Sequence, residues 1–258
     1  ETVPSILQEV GPWLVEEAVA EITLCRNELF DKVIVYKLKA GLKHGSAKGT
    51  AGNLDAVSCD IQLLTEGIQV ATRLGTISAD AKRFYTTACI VKALRQSIQK
   101  RPASWPHVAA GLETAMRAEE ENMLAPIAEA EVQLYHDEMR HHVLEVQLTQ
   151  CLRSGKTMVD YGRAPVVDAQ ALNELKAAIF NAIRLGCPSD RTELLLSSAN
   201  TIFKLRTSLK VGNLERISEL LTSAAVENLC EEVKEEVLEV ESFFEQRREA
   251  AMAEEGAS

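Results

Sequence analysis

The residues with the greatest chemical reach in this chain lie in one run, Tyr135-His136-Asp137-Glu138-Met139-Arg140-His141-His142. Glu138-x-x-His141 is a spacing that puts a carboxylate and an imidazole on one helix face, as helical bundles do to ligate a pair of iron ions. Such a site needs a second Glu-x-x-His and two further inward glutamates, and the sequence holds no second copy. Leu134, Met139, Val143 and Val146 read as the buried positions of that helix, which assigns most of the charged run, His142 included, to a solvated face. Neighbouring histidines titrate near neutrality, so a pH-sensitive contact is the one remaining use for the cluster.

The usual marks of catalysis are missing. There is no G-x-S-x-G, no phosphate-binding loop of the G-x-x-x-x-G-K type, no G-x-G-x-x-G and no H-E-x-x-H. Serines fall at turns, and the 5 histidines offer few general bases. The sequence therefore predicts a chain that is not an enzyme, with no catalytic, cofactor or metal residues. Ile68-Gln69-x-x-x-Arg73 is similar to the opening of a calmodulin-binding IQ motif, but Leu74 and Ser78 stand where the motif continues with glycine and a basic residue. Arg73 recurs as Arg184, so both are better read as cations closing helix C-termini. The basic stretch Lys37, Lys39, Lys43, His44 and Lys48 is read the same way.

What must position these residues is helical. Aromatics make up only 5% of the 258 residues, with 13 Gly and 7 Pro, which is poor material for sheets and good material for helices. No apolar run is long enough for a membrane span. The net charge of -10 argues against nucleic acid and anionic lipid. From Val226 to Ser258 eleven Glu face Lys234, Arg247 and Arg248, which is -8, so the rest of the chain is near -2. The 6 cysteines are widely spaced among apolar neighbours, a pattern of reduced thiols in a cytoplasmic protein.

Apolar residues recur at three- and four-residue steps nearly throughout. Trp13, Leu14, Ala18, Ile22, Leu29, Val33, Leu38 and Leu42 form a first face, opened by Gly11-Pro12 and closed by the glycine-rich 45–52. Helices are predicted near 54–74, 79–100 and 104–154 (interrupted only at Pro126), then near 167–185, 190–210 and 213–252.

The two halves repeat each other. Leu64, Ile68, Ala71, Arg73, Leu74, Gly75 and Ser78 return as Leu175, Ile179, Ala182, Arg184, Leu185, Gly186 and Ser189, each 111 positions on. Ala88, Val91, Leu94, Arg95, Ser97 and Ile98 return at the same offset as Ala199, Ile202, Leu205, Arg206, Ser208 and Leu209. Trp105, Val108, Leu112 and Ala115 match Leu214, Ile217, Leu221 and Ala224, and Ala18, Leu24, Ile34, Leu38 and Leu42 match Ala128, Leu134, Leu144, Leu148 and Leu152. Duplicated structure must keep such apolar spots and the Gly and Ser at helix ends. The chain thus divides into repeat unit 1 (1–102), repeat unit 2 (103–211) and the acidic opening helix of an incomplete third (212–258). A first residue of Glu1 and an unfinished third unit lead to the expectation of an excised piece of a longer protein.

The expected fold is all-α: an elongated array of helical repeats stacked as in an α-solenoid if the chain bends at Pro126. The alternative is a rod that resembles spectrin-type repeats in its shared long helix, although those do not break their middle helix as Gly75 and Gly186 do. Both imply a protein–protein interaction scaffold in the cytoplasm, associated with the cytoskeleton in the rod reading. The competing reading is a regulatory helical domain that holds a small molecule, lipid or metal and controls an adjoining domain. Besides other proteins, a further partner is a second copy of the chain, since the stripe that follows, left without a next unit, is expected to fray, to pair with another copy or to fold back on the second unit. Val226, Leu229, Val233, Val237, Val240 and Phe244 form a 226–244 stripe, opposite Glu231, Glu232, Glu235, Glu236, Glu239 and Glu245, which are expected to stay in water.

Overall fold

The computed structural model describes residues 16–55, 60–100, 103–157, 165–223 and 228–256. The expected start at Gly11-Pro12, and Trp13, Leu14, Cys59, Ala224 and Val226, lie outside the described residues. Among the described residues the regular elements are helices: α1 (Glu16–Lys43), α2 (Gln62–Leu74), α3 (Ala79–Gln99), α4 (Trp105–Glu120), α5 (Glu129–Arg153), α6 (Ala169–Leu185), α7 (Asp190–Val211), α8 (Leu214–Ser223) and α9 (Glu231–Gly256). A short 3-10 turn, Pro126–Ala128, leads into α5. The fold is all-α, helix packed on helix, as the periodicity predicts. No helix among the described residues is long and apolar enough to cross a membrane.

Packing divides the chain into two compact units, Glu1–Gly49 with Asn53–His136, and Thr50–Gly52 with Asp137–Ser258. The division falls inside α5 rather than at the repeat boundaries 102/103 and 211/212. The sequence period and the compact body are out of phase because the 3-10 turn and the first turns of α5 bury Ala128, Val132 and Tyr135 in the first unit.

In the first unit α2 and α3 pack on α1, and α4 packs on α3. Leu38, Leu64, Ala71, Ala88, Val91, Leu94 and Val108 form its dry interior. In the second, α6 and α8 pack on α7, and α9 closes over it. Leu144, Leu148 and Leu152 of α5 join Leu175, Ala182, Leu195, Ile202, Leu205, Val233, Val237 and Val240 in one core. Of the positions predicted buried, Ile68 and Trp105 are only half-buried. Leu214 is 59% exposed, because it opens α8 one turn before that helix meets its neighbours through Ile217.

The matched turns follow the same design. Gly75 and Gly186 take φ of 80° and 73°, and each donates its N–H back to the helix, to Ala71 and Ala182. Positive φ at both helix ends is what the repeated Leu-Gly-x-x-Ser turn calls for, and ψ values of 141° and 147° carry the chain onward in an extended direction. The chain thereby leaves the helix directly, and Ser78 and Ser189 cap the next one by accepting the N–H of Ala81 and of Thr192.

Two predicted helices divide. The 104–154 stretch breaks over 121–128 and not at Pro126 alone. Asn122 turns the chain with φ 56°, Arg83 donates Nε and Nη2 to the Leu124 carbonyl, and the Thr87 hydroxyl accepts the Ala125 N–H. The 213–252 stretch likewise ends at Ser223 and restarts at Glu231, where Ser198 accepts the Cys230 N–H. Ser198 is the repeat equivalent of Thr87.

Of the outcomes expected for the 226–244 stripe, the structure shows the fold back on the second unit. Leu229, Val233, Val237 and Val240 are buried in the second unit's own core, and Phe244 packs against it. Nor do all six opposing glutamates stay in water: Glu236 is 1% exposed and the Glu232 side chain 7%. Both are paired with arginines.

Candidate functional site

The most demanding chemistry in either unit is a buried guanidinium. Arg95 stands near the C-terminal end of α3 with no solvent exposure. Its Nη atoms donate to the carbonyls of Gly41, Leu42 and His44 at the end of α1, and to Asp60. The last carbonyls of a helix have no partner within it, and a cation there also meets the negative end of the helix dipole. The remaining edge of the fork meets Glu131 of α5 in a bidentate pair, Nε to Oε1 at 2.8 Å and Nη2 to Oε2 at 2.8 Å. Glu131 also accepts the Ala47 N–H and the Tyr135 hydroxyl. One clasp therefore ties together a helix end, the loop after it, the arm that follows, and the next long helix.

The second unit builds the clasp again. Arg206 of α7, also fully buried, donates to the carbonyls of Leu152 and Ser154 at the end of α5. It pairs with Glu236 of α9 at 2.9 and 2.8 Å. Glu236 accepts both the N–H and the hydroxyl of Thr157, the equivalent of Ala47. The sequence reading matched Arg95 with Arg206 and missed both glutamates. Their signal lies in Ala128-x-x-Glu131-Val132 and Val233-x-x-Glu236-Val237, an acid in the same place on an apolar stripe.

The Glu138/His141/His142 cluster is less solvated than its sequence suggests. Tyr135 and His141 are buried, whereas Val143 and Val146 are exposed and Leu134 and Met139 are half-buried. The buried face is turned from the predicted one because polar members of the run hold distant segments of their own unit. Glu138 accepts the Gly52 N–H at 2.7 Å, and Arg140 donates to the Leu185 carbonyl at the end of α6. His141 Nδ1 lies 2.8 Å from the Ser189 hydroxyl that caps α7, and its Nε2 lies 3.4 Å from Glu145. The imidazole fills the space beside Gly52, where a Cβ would stand 2.7 Å from its Cε1. Among the described residues, no group of three His, Cys, Asp or Glu side chains is gathered as a metal would need.

A polar groove runs along this face of the second unit, lined by His142, Glu145, Thr149, Arg153, Arg191 and Glu232. Arg191 donates to Glu232 at 2.7 Å and lies 3.6 Å from Glu145, while Arg153 lies 3.8 Å from Glu232. Burial works against the Glu232 charge, yet its own N–H, the Cys230 thiol and Arg191 hold its carboxyl below the ordinary value. Burial pushes the His142 imidazole down, with His141 adding to that and Glu145 opposing it. Burial also pushes up the thiols of Cys89, Cys151, Cys187 and Cys230, which makes them poor nucleophiles.

No model of a known protein family matches the chain, and no curated protein and no solved structure matches it either.

Proposed function

We propose that this chain is a non-catalytic segment of helical repeats that presents helix surfaces to other proteins. The supporting observation is where its large apolar side chains stand. The ion pairs Arg95–Glu131 and Arg206–Glu236 are turned inward as clasps, while Phe180 and Ile183, one turn apart on α6, are 69% and 63% exposed. Exposed apolar side chains grouped on a rigid element are the usual anchors of a protein interface. The first unit has Gln69 and Thr72 at the equivalent positions, so this anchor pair is not a requirement of the repeat itself.

A photo-cross-linking residue at Phe180, compared with one at Gln69, tests the reading. Protein partners cross-linked at 180 and not at 69, and lost when I183S is added with melting unchanged, support it. A thermal shift with a metal or small molecule, and no protein partner at 180, would favour the regulatory-domain alternative instead.

A further inference from the structure

The clasp glutamate occurs three times, not twice. Ala18-x-x-Glu21-Ile22-x-Leu24-Cys25-x-x-Glu28-Leu29 repeats Ala128-x-x-Glu131-Val132-x-Leu134-Tyr135-x-x-Glu138-Met139 at an offset of 110. It also sets Glu21 and Ile22 in the register of Glu236 and Val237. At the second and third occurrences the segment is covered. Val132 and Tyr135 are buried with Glu131 on Arg95, and Val237 and Val240 are buried with Glu236 on Arg206. On each occasion the arginine comes from the first helix of the two-helix arm just before it in the chain, α3 or α7, and the loop after the preceding long helix adds an N–H to the glutamate.

At the first occurrence the same face is open. Glu21 and Cys25 are exposed, Ile22 is 36% and Leu29 57% exposed, and Glu21 has no ion-pair partner among the described residues. These residues line a shallow groove on α1. Arg95 and Arg206 are each already committed to another glutamate. Residues 1–15 contain no Lys or Arg, so they cannot supply the cation either.

We propose that this face of α1 is the seat for the two-helix arm of one more repeat of this kind, placed ahead of α1. That arm presents an arginine to Glu21 in the register of Arg95 and Arg206. The two known clasps separate arginine and glutamate by 36 and 30 residues, so the missing arginine belongs 30–36 residues before Glu21. An apolar face alone would accept many partners. A carboxylate at its centre that must be met by a fork of donors narrows the choice to this one. The inference rests on the duplicated fold and not on the scaffold role, so failure of the cross-linking experiment leaves it standing.

The test adds such an arm to the full chain. Residues 1–229 joined to 15–258 place the second copy's Glu21 30 residues after Arg206, the spacing native to Glu236. Two versions each keep one of the two Cys25 residues, the other being changed to serine, and alkylation is followed by mass spectrometry. The second-copy Cys25 is expected to react at least tenfold more slowly than the first. E21Q in that copy should lower the melting temperature of the tandem, as E236Q does in the single chain, whereas E21Q in the single chain should change nothing. Equal alkylation rates, or a silent E21Q in the tandem, overturn the proposal. Cys25 already slow in the single chain also overturns it, in favour of residues 1–15, or of a second copy if the rate depends on concentration. A tandem that fails to fold across the junction counts against it too, since every other segment is native.

Discussion

Replacing Glu236 with glutamine isolates the electrostatics of the second clasp. The change keeps the side chain's shape and can keep one oxygen for Thr157, but it turns the other oxygen into an NH₂ that faces the donors of Arg206. The guanidinium is then left at 0% exposure without its counterion, with the retained amide oxygen and the Leu152 and Ser154 carbonyls as its partners. Leaving a buried charge without its counterion destabilises by about 3–5 kcal/mol. Arg95 has four carbonyl acceptors besides Glu131, so E131Q strands it less completely. At about 0.5–1.5 kcal/mol for each of the two additional hydrogen bonds, E131Q should be milder than E236Q by roughly 1–3 kcal/mol.

Urea unfolding followed by circular dichroism gives the totals, and amide exchange assigns the loss to a unit. With m near 2 kcal/mol/M, roughly 4 kcal/mol moves the midpoint by about 2 M. Fast exchange should appear at Thr157 in E236Q and at Ala47 in E131Q. The double variant R206M/E236L should recover part of the loss but not all, because the Leu152 and Ser154 carbonyls and the Thr157 N–H lose their partners. A penalty under about 1 kcal/mol for E236Q would refute the desolvated clasp. E131Q costing more than E236Q would refute the count of carbonyls.

Gly75→Ala and Gly186→Ala should each destabilise by about 1–3 kcal/mol, since a Cβ at either site meets nothing within 4 Å and only the backbone angles are at stake; thermal melts that leave both unchanged would remove the argument. Leu94→Ala and Leu205→Ala, both in dry cores, should lose roughly 2–5 kcal/mol each in the same urea series. The folded His142 binds its proton less readily than the unfolded one, so stability should be full above the ordinary histidine pKa and fall as pH drops through it. Melts of H142Q between pH 8 and pH 5 should fall less than those of the parent. Asp31 has its own acid limb. Burial opposes its charge, but hydrogen bonds from Ser78 and Ile77 hold its carboxyl below 3.8. Its contribution is therefore present at neutral pH and lost in acid, and D31N should flatten the melting curve below about pH 4.

Helices, turns and most of the core were legible because each depends on residues near one another in sequence. Apolar spacing marks a face, and Leu-Gly-x-x-Ser marks an exit and a cap. The clasps were legible only in half. Arg95 and Arg206 sit in helices of nearly equal length, so a fixed offset of 111 aligns them. Glu131 and Glu236 differ by 105, because Trp105 follows Arg95 by 10 residues and Leu214 follows Arg206 by 8, and Glu131 follows Trp105 by 26 while Glu236 follows Leu214 by 22. One acid among eleven in the tail also carries no mark of burial, since burial is decided by an arginine 30 residues away. The face of α5 was misread for the same reason. Tyr135 and His141 lie inside because each has a polar partner there, while Val143 and Val146 lie outside because nothing is packed over them.

Why the fold keeps a charged pair where leucines would serve as well follows from what the pair touches. Replacing a buried ion pair by apolar residues is often neutral or stabilising, so stability alone does not explain Arg95–Glu131 or Arg206–Glu236. Each arginine also satisfies the carbonyls that a long helix leaves open at its end, and each glutamate satisfies an N–H of the loop that follows. An apolar substitute can fill the volume but can answer none of those groups. The pair therefore fixes register: an arm slipped by one turn would put the guanidinium against side chains and leave the helix end unsatisfied. In a repeated helical fold, where one amphipathic stripe packs almost as well on a neighbour shifted by four residues, that choice among near-equal packings is what two buried charges provide.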